Sequence, residues 1–202
     1  MGLFAVGILL LVLWPAGYFG VQLARRQISQ FTETQPIRLP VATLSPAHAA
    51  AVAQRVDSFR ASLREGRPTD PLVLSGEEIN ALIATYPDLR PLRDHLFVIV
   101  GTNDITAQFS FPADQLGLEH IRGRYINGEG KVVLIVHDGS VIMTLTSVTE
   151  KGLPIPETLR RAIRGYNLAD AVSRDSAAAA QAAKVQNPEV RDGKLIIAPK
   201  AD

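Results

Sequence analysis

The chain opens on an uncharged, largely apolar run: residues 2–24, bounded by Gly2 and Ala24, contain no charged side chain. At 1.5 Å per residue its roughly 23 residues give about 35 Å, enough to cross a hydrocarbon core of about 30 Å with some tilt. Residues 27–44 then turn polar, with Pro36 and Pro40 and no sustained period, which reads as a tether lifting a domain off the bilayer. Ser45-Pro46 supplies an N-cap and a proline at the first helical position. The helix it predicts runs to about Glu65, with Val52, Val56, Phe59 and Leu63 on one stripe and Gly66 and Pro68 as its stop. Ser75 and Glu78 form a capping box for a second helix, whose apolar face is Ile79, Leu82 and Ile83 and which Pro87 ends.

From there the period changes from helical to strand-like. Residues 96–100 are continuously apolar, the mark of a buried strand. Ile105, Ala107, Phe109 and Phe111 alternate with Thr106, Gln108 and Ser110, the mark of a half-buried one. Residues 122–156 read as strand, Asn127-Gly128 turn, strand, Asp138-Gly139 turn, strand, and an exit through Gly152-Leu-Pro-Ile-Pro156. We expect this stretch to be the spine of an antiparallel sheet. Val133 and Ile135 fall on one face and Val132, Leu134 and Val136 on the other, so the strand is expected to be central and covered on both sides. The helix after Ser45 would supply one cover; a ligand, the membrane or a partner would supply the other. Beyond Pro156, Leu159, Ile163 and Tyr166 share a helical stripe, an Ala-rich helix is expected over 168–184, and Asp192-Gly193 marks a last tight hairpin. The expected fold class is α+β: an N-terminal transmembrane helix followed by a curved antiparallel sheet packed with amphipathic helices. Its parts would be an anchor (1–26), a tether (27–44) and a soluble α+β domain (45–202).

Composition narrows this picture in two ways. Apolar content of 47% and charged content of 20% are globular and argue against disorder. The net charge of +1 gives no electrostatic footprint for nucleic acid, and the absence of cysteine removes disulfides, thiol nucleophiles and thiolate metal sites.

Within the apolar run, Trp14, Tyr18 and Phe19 lie in the second half, where amphipathic rings favour an interface, and Pro15 is a tolerable kink. A cleaved signal peptide is the rival reading. No basic residue precedes the run and no small-x-small site precedes Arg25, so an uncleaved single-pass anchor is preferred. Arg25, Arg26 and Arg38 follow the span, which by the positive-inside rule would leave the C-terminal side in the cytoplasm.

Candidate chemistry is sparse. Of the four histidines, His95, His120 and His137 adjoin acidic residues, but none has a second ligand at metal-binding spacing. Ser75 lacks a nucleophile elbow, and Gly128-Glu-Gly130 joins strand to strand, so it is no phosphate loop. An enzyme and a cofactor are not expected. Asn80 sits inside a helix where it has no propensity advantage; it is either solvated or ties the helix to a neighbouring backbone. Arg160, Arg161 and Arg164 are the best electrostatic feature: either a solvated helix face, or guanidiniums one turn apart facing an anionic group or a partner.

The order of parts resembles the YpmS-like family of small membrane-anchored bacterial proteins. The likeness rests on one N-terminal span, a helix opening with Leu74-Ser-Gly-Glu-Glu-Ile-Asn80, paired strands, and the Gly152-Leu-Pro-Ile-Pro156 exit into a helix. The resemblance implies an extracytoplasmic domain tethered to the cell membrane, against the arginine count, and brings no catalytic residue. Two functions are expected to compete. One is a membrane-tethered, non-enzymatic binding module of the cell envelope, for a lipid-like or other apolar ligand. The other is a structural or assembly subunit docking an envelope partner through an apolar sheet face. The partners would be the membrane, through the N-terminal helix, and one of these two; no nucleic acid is expected.

Overall fold

A computed structural model of the chain describes residues 31–116, 121–137, 140–150, 152–157, 160 and 180–200. These form an α+β fold with a curved five-stranded antiparallel sheet, a smaller three-stranded one, and helices packed between them. Helix α1 (Pro46–Glu65) starts where Ser45 caps it, its hydroxyl accepting from the His48 amide, and ends on Gly66 in the left-handed region. Strand β1 (Leu72–Ser75) runs straight into α2 (Gly76–Thr85), whose capping box is complete: the Ser75 hydroxyl accepts from the Glu78 amide while the Glu78 carboxylate accepts from the Ser75 amide. A 3-10 turn (Pro87–Leu92) leads to β2 (Leu96–Val100), β3 (Ile105–Pro112), β4 (Tyr125–His137), β5 (Ser140–Glu150) and β6 (Leu153–Pro154), which pair in that order. Strands β7 (Glu189–Arg191) and β8 (Lys194–Ile197) close a hairpin on Asp192 and Gly193, both at positive φ, as a tight two-residue turn requires. β8 then pairs with β1, joining the two ends of the domain.

Four expectations are corrected. First, Asn127-Gly128 is no turn: β4 continues through both, with Asn127 opposite Ser110 and Gly128 opposite Phe109. The glycines at 128 and 130 serve close approach. A Cβ at Gly128 would lie 2.5 Å from the Thr149 carbonyl oxygen, and one at Gly130 would lie 3.0 Å from that of Thr146. The strand β5 bulges here: its register shifts between Glu129 and Lys131, and Ser147 takes a φ of 50°. Second, the apolar run of β2 is an edge strand, and Ile99 on its open face is 45% exposed.

Third, α1 covers chiefly β1 and α2; Val52, Phe59 and Leu63 pack with Leu72, Leu74 and Leu82. The five-stranded sheet buries its inner face in a separate core with Ile83 and Leu92 over Phe109, Ile126 and Leu145. Fourth, β4 is central but not covered on both sides along its length. On the outer face Ile135 and its partner Ile142 are 41% and 40% exposed.

The start of the expected tether is itself part of the fold. Glu33 bridges Tyr125 backbone to backbone, Arg124 donates to the Thr32 hydroxyl and carbonyl, and Asn127 holds the stretch beyond them. The Asn127 side chain accepts from the Ile37 amide and the Ser110 hydroxyl and donates to Glu33 and the Gln35 carbonyl. This strap covers the end of the outer sheet face that carries Ser110 and Asn127, both buried although polar. Among the described residues no helix is long and apolar enough to cross a membrane. The expected anchor, with Gly2, Trp14 and Ala24, lies outside the described residues, as do the Asp138-Gly139 turn and most of the expected Ala-rich helix.

Candidate functional site

Strand β3 begins at Ile105, opposite Val132. Past that point β4 and β5 have only each other, and their hairpin overhangs the rest of the sheet. The outward amide of Val136, which a longer β3 would have paired, donates instead to the Asn187 side chain at 2.9 Å. The overhang thus presents Leu134, Val136 and Met143 toward α1 and the end of α2. On α1, positions 56, 59, 60 and 63 lie three and four apart, so Val56, Phe59 and Leu63 face the hairpin together with Arg60. Leu82, Leu89, Val185 and Ile197 complete the walls of a cavity of about 360 Å³. Its interior is hydrocarbon and its polar groups gather at the mouth.

The mouth is a hydrogen-bonded chain. Arg60 Nη1 donates to Asp88 Oδ2 at 2.7 Å and to the Tyr86 hydroxyl at 2.9 Å, while Arg60 Nε donates to Gln181 Oε1 at 3.2 Å. The Tyr86 hydroxyl in turn donates to Asp57 Oδ1 at 2.5 Å, and the guanidinium stands 6.0 Å from the centre of the Tyr86 ring. Burial pulls the Arg60 pKa down, but the bonds to Asp88 and Tyr86 outweigh it and the net movement is upward. Burial raises the Tyr86 pKa, as does its bond to Asp57, and Arg60 only partly opposes them. Tyr86 is therefore a neutral donor and Arg60 a fixed cation throughout the physiological range.

A wider cleft of about 840 Å³ lies between α1 and β1, lined largely by polar side chains such as His48, Gln54, Ser62 and Asp70. Its size does not make it the better site. Water competes for every polar group there, and Arg55, which borders it, is already bonded to Glu78 and to the Val73 carbonyl. The overhang cavity is smaller but falls in the size range of ligand pockets and has their usual character, apolar walls with a few convergent polar groups.

The residues singled out from the sequence go elsewhere. Arg160 bonds back to the Ile155 carbonyl at 3.2 Å and pairs with Glu157, three residues before it. Arg161 and Arg164 lie outside the described residues. Asn80, 5% exposed, ties α2 to β2: its Nδ2 donates to the Val98 carbonyl at 2.7 Å and its Oδ1 accepts from the Val98 amide at 2.8 Å. His95 Nδ1 lies 2.8 Å from the Ser110 carbonyl oxygen and its ring stacks on Phe111, a structural position. Among the described residues no group of His, Cys, Asp and Glu is placed to hold a metal. The groups that do converge, Asp57, Arg60, Tyr86 and Asp88, form no motif in the sequence; their one local trace is Asp57 three residues before Arg60 on the edge of the α1 stripe. In comparison with known proteins, no family model, curated protein or solved structure matches the chain.

Proposed function

We propose that the protein is a membrane-tethered binding module of the bacterial cell envelope, non-enzymatic, that takes an apolar chain into the cavity under the β4–β5 overhang. The observation that carries this reading is the overhang itself: a hairpin projecting past its third strand, with an apolar inner face and a cavity of about 360 Å³ beneath it. With about 30 Å³ per water-sized group, that volume suits a chain on the order of ten carbons. Burying each methylene is worth about 0.8 kcal/mol, so such a chain gains about 8 kcal/mol on leaving water, and immobilisation at about 4 kcal/mol leaves binding nearer millimolar than micromolar. The uncharged run of residues 2–24 would place the domain beside a source of such chains, and the YpmS-like order of parts favours the extracytoplasmic side.

The test uses the full chain in nanodiscs with a dodecanol probe carrying a diazirine on its chain. Photolabelling should concentrate in the tryptic peptide 132–151, which holds Leu134, Val136 and Met143. It should fall at least fivefold in Val56→Trp, which fills the cavity. Labelling confined to the N-terminal apolar peptide in both proteins would sink the reading.

The exposed Ile99, Ile135 and Ile142 on the outer face favour a second reading, an assembly subunit that docks there. It requires Ile135→Asp and Ile142→Asp to abolish a crosslinked envelope partner while leaving the photolabelling untouched.

A further inference from the structure

The mouth of the cavity has a charge that its interior lacks. Arg60 contributes one positive charge, and Asp57 and Asp88 contribute two negative ones, all within one hydrogen-bonded chain through Tyr86. The local balance is negative. Arg60 serves Asp88 and Tyr86 through Nη1 and Gln181 through Nε, and the Tyr86 proton is committed to Asp57. Asp88 by contrast is about half exposed, with a side-chain accessibility of 47%, and binds Arg60 through Oδ2 only. Asp57, also exposed, receives Tyr86 at Oδ1 only. An incoming head group therefore meets carboxylate oxygens with spare acceptor capacity in a setting of net negative charge, beside one guanidinium already shared among three partners. A carboxylate or phosphate head would share Arg60 with Asp88 and would stand beside two like charges. An ammonium head donates into the free lone pairs and balances the excess charge.

We propose that the occupant of this cavity is a single-chain amphiphile with a cationic, amine-type head, the chain under the overhang and the head between Asp57 and Asp88. This rests on the reading of the cavity as an apolar-chain site and adds the head-group selectivity. The apolar wall sets the length of chain accepted. The two aspartates decide which chains stay.

The experiment compares three diazirine-bearing probes of equal chain length, dodecylammonium, dodecanol and dodecanoate, on the full chain in nanodiscs of zwitterionic lipid. Labelling of peptide 132–151 is titrated and referenced to the filled-cavity variant Val56→Trp, so that unequal partitioning into the bilayer cancels. Dodecylammonium should reach half-saturation at about tenfold lower concentration than dodecanoate, with dodecanol between them. In Asp57→Asn/Asp88→Asn, where Arg60 is left uncompensated, the order should invert. Raising ionic strength should narrow the difference in both proteins. Equal half-saturation for all three heads, or a preference for dodecanoate in the unaltered protein, overturns the selectivity and leaves the cavity reading intact. Failure of all three probes to label the peptide above the Val56→Trp background overturns the cavity reading itself.

Discussion

Removing the Asn80 side chain beyond Cβ, as Asn80→Ala, tests the most specific contact in the fold. The Ser110 amide donates to the His95 carbonyl, so residues 95 and 110 form a hydrogen-bonded pair. In an antiparallel ladder such pairs alternate, which turns the amide and carbonyl of Val98 away from β3 and out over the open edge of the sheet. Asn80 accepts one and donates to the other, with its own amide 5% exposed. It stands where a sixth strand would pair.

Truncation leaves two backbone groups without partners in a buried place, at about 1–3 kcal/mol each. A recess of about 360 Å³ under residues 36–42 borders Asn80, and water entering through it would recover part of the loss. The expected net cost is therefore about 2–3 kcal/mol, or roughly 5–10 °C in melting temperature for a domain of this size. Asn80→Asp should cost as much, because it keeps an acceptor for the Val98 amide but aims a carboxylate oxygen at the Val98 carbonyl. The assay is urea unfolding of the full chain by circular dichroism, with amide exchange of 96–100 read by mass spectrometry. A loss under about 0.5 kcal/mol with unchanged protection at Val98 would refute the reasoning.

Three further outcomes follow from the same geometry. Gly128→Ala should destabilise by about 1–3 kcal/mol, since its Cβ meets the Thr149 carbonyl oxygen at 2.5 Å and backbone must move; a neutral result in thermal melts would contradict the close approach. Asn127→Ala should cost about 2–4 kcal/mol and raise amide exchange at residues 33–37, because four bonds to the strap and Ser110 go together; unchanged exchange there would show the strap is held by other means. Glu78 sits below its ordinary pKa of 4.5: burial acts against this, but bonds from the Ser75 amide and Arg55 prevail. A depressed carboxylate stabilises the fold above that ordinary value, and the contribution fades as pH falls through the folded one. The gap in melting temperature between wild type and Glu78→Gln should hold from pH 7 to about 5 and close toward pH 3.

The helices were legible because their signals are local: Ser45-Pro46, the Ser75–Glu78 box and Gly66 each act within one turn of backbone. The alternation of β3 and the Asp192-Gly193 hairpin were legible for the same reason. Asn127-Gly128 misled because the pair that makes a good turn also makes a good tight sheet position. The amide is needed for a buried network and the missing Cβ for a bulged neighbour, and both needs arise from residues far along the chain. Strand β1 escaped notice because its partner, β8, lies more than a hundred residues away. The site was illegible for the same cause. Asp57 and Arg60 look like ordinary solvated residues until α2 brings Tyr86 and the following turn brings Asp88.

Three asparagines show how the fold creates its cavity. Asn80 finishes the open edge of β2, Asn127 fastens the strap across the outer face, and Asn187 takes the Val136 amide where β3 has run out. Each amide offers a donor and an acceptor in the spacing of a peptide group, so each can stand in for a strand that is not there. The substitution matters most at Asn187. Had β3 continued beside β4, the hairpin would have had a third strand and no reason to lean over α1. With one amide in place of that strand, the Val136 amide is held by a side chain where a ladder would have held it, and the apolar face of the overhang is left to α1, α2 and whatever enters between them. Asn187→Ala should therefore loosen the overhang without unfolding the inner core. Exchange should rise at 133–137 while 106–111 stays protected, and photolabelling by an apolar chain should weaken because the cavity roof is no longer fixed. Equal loss of protection in both segments would mean that hairpin and core unfold as one unit, and that the cavity is set by the global fold and not by this single bond.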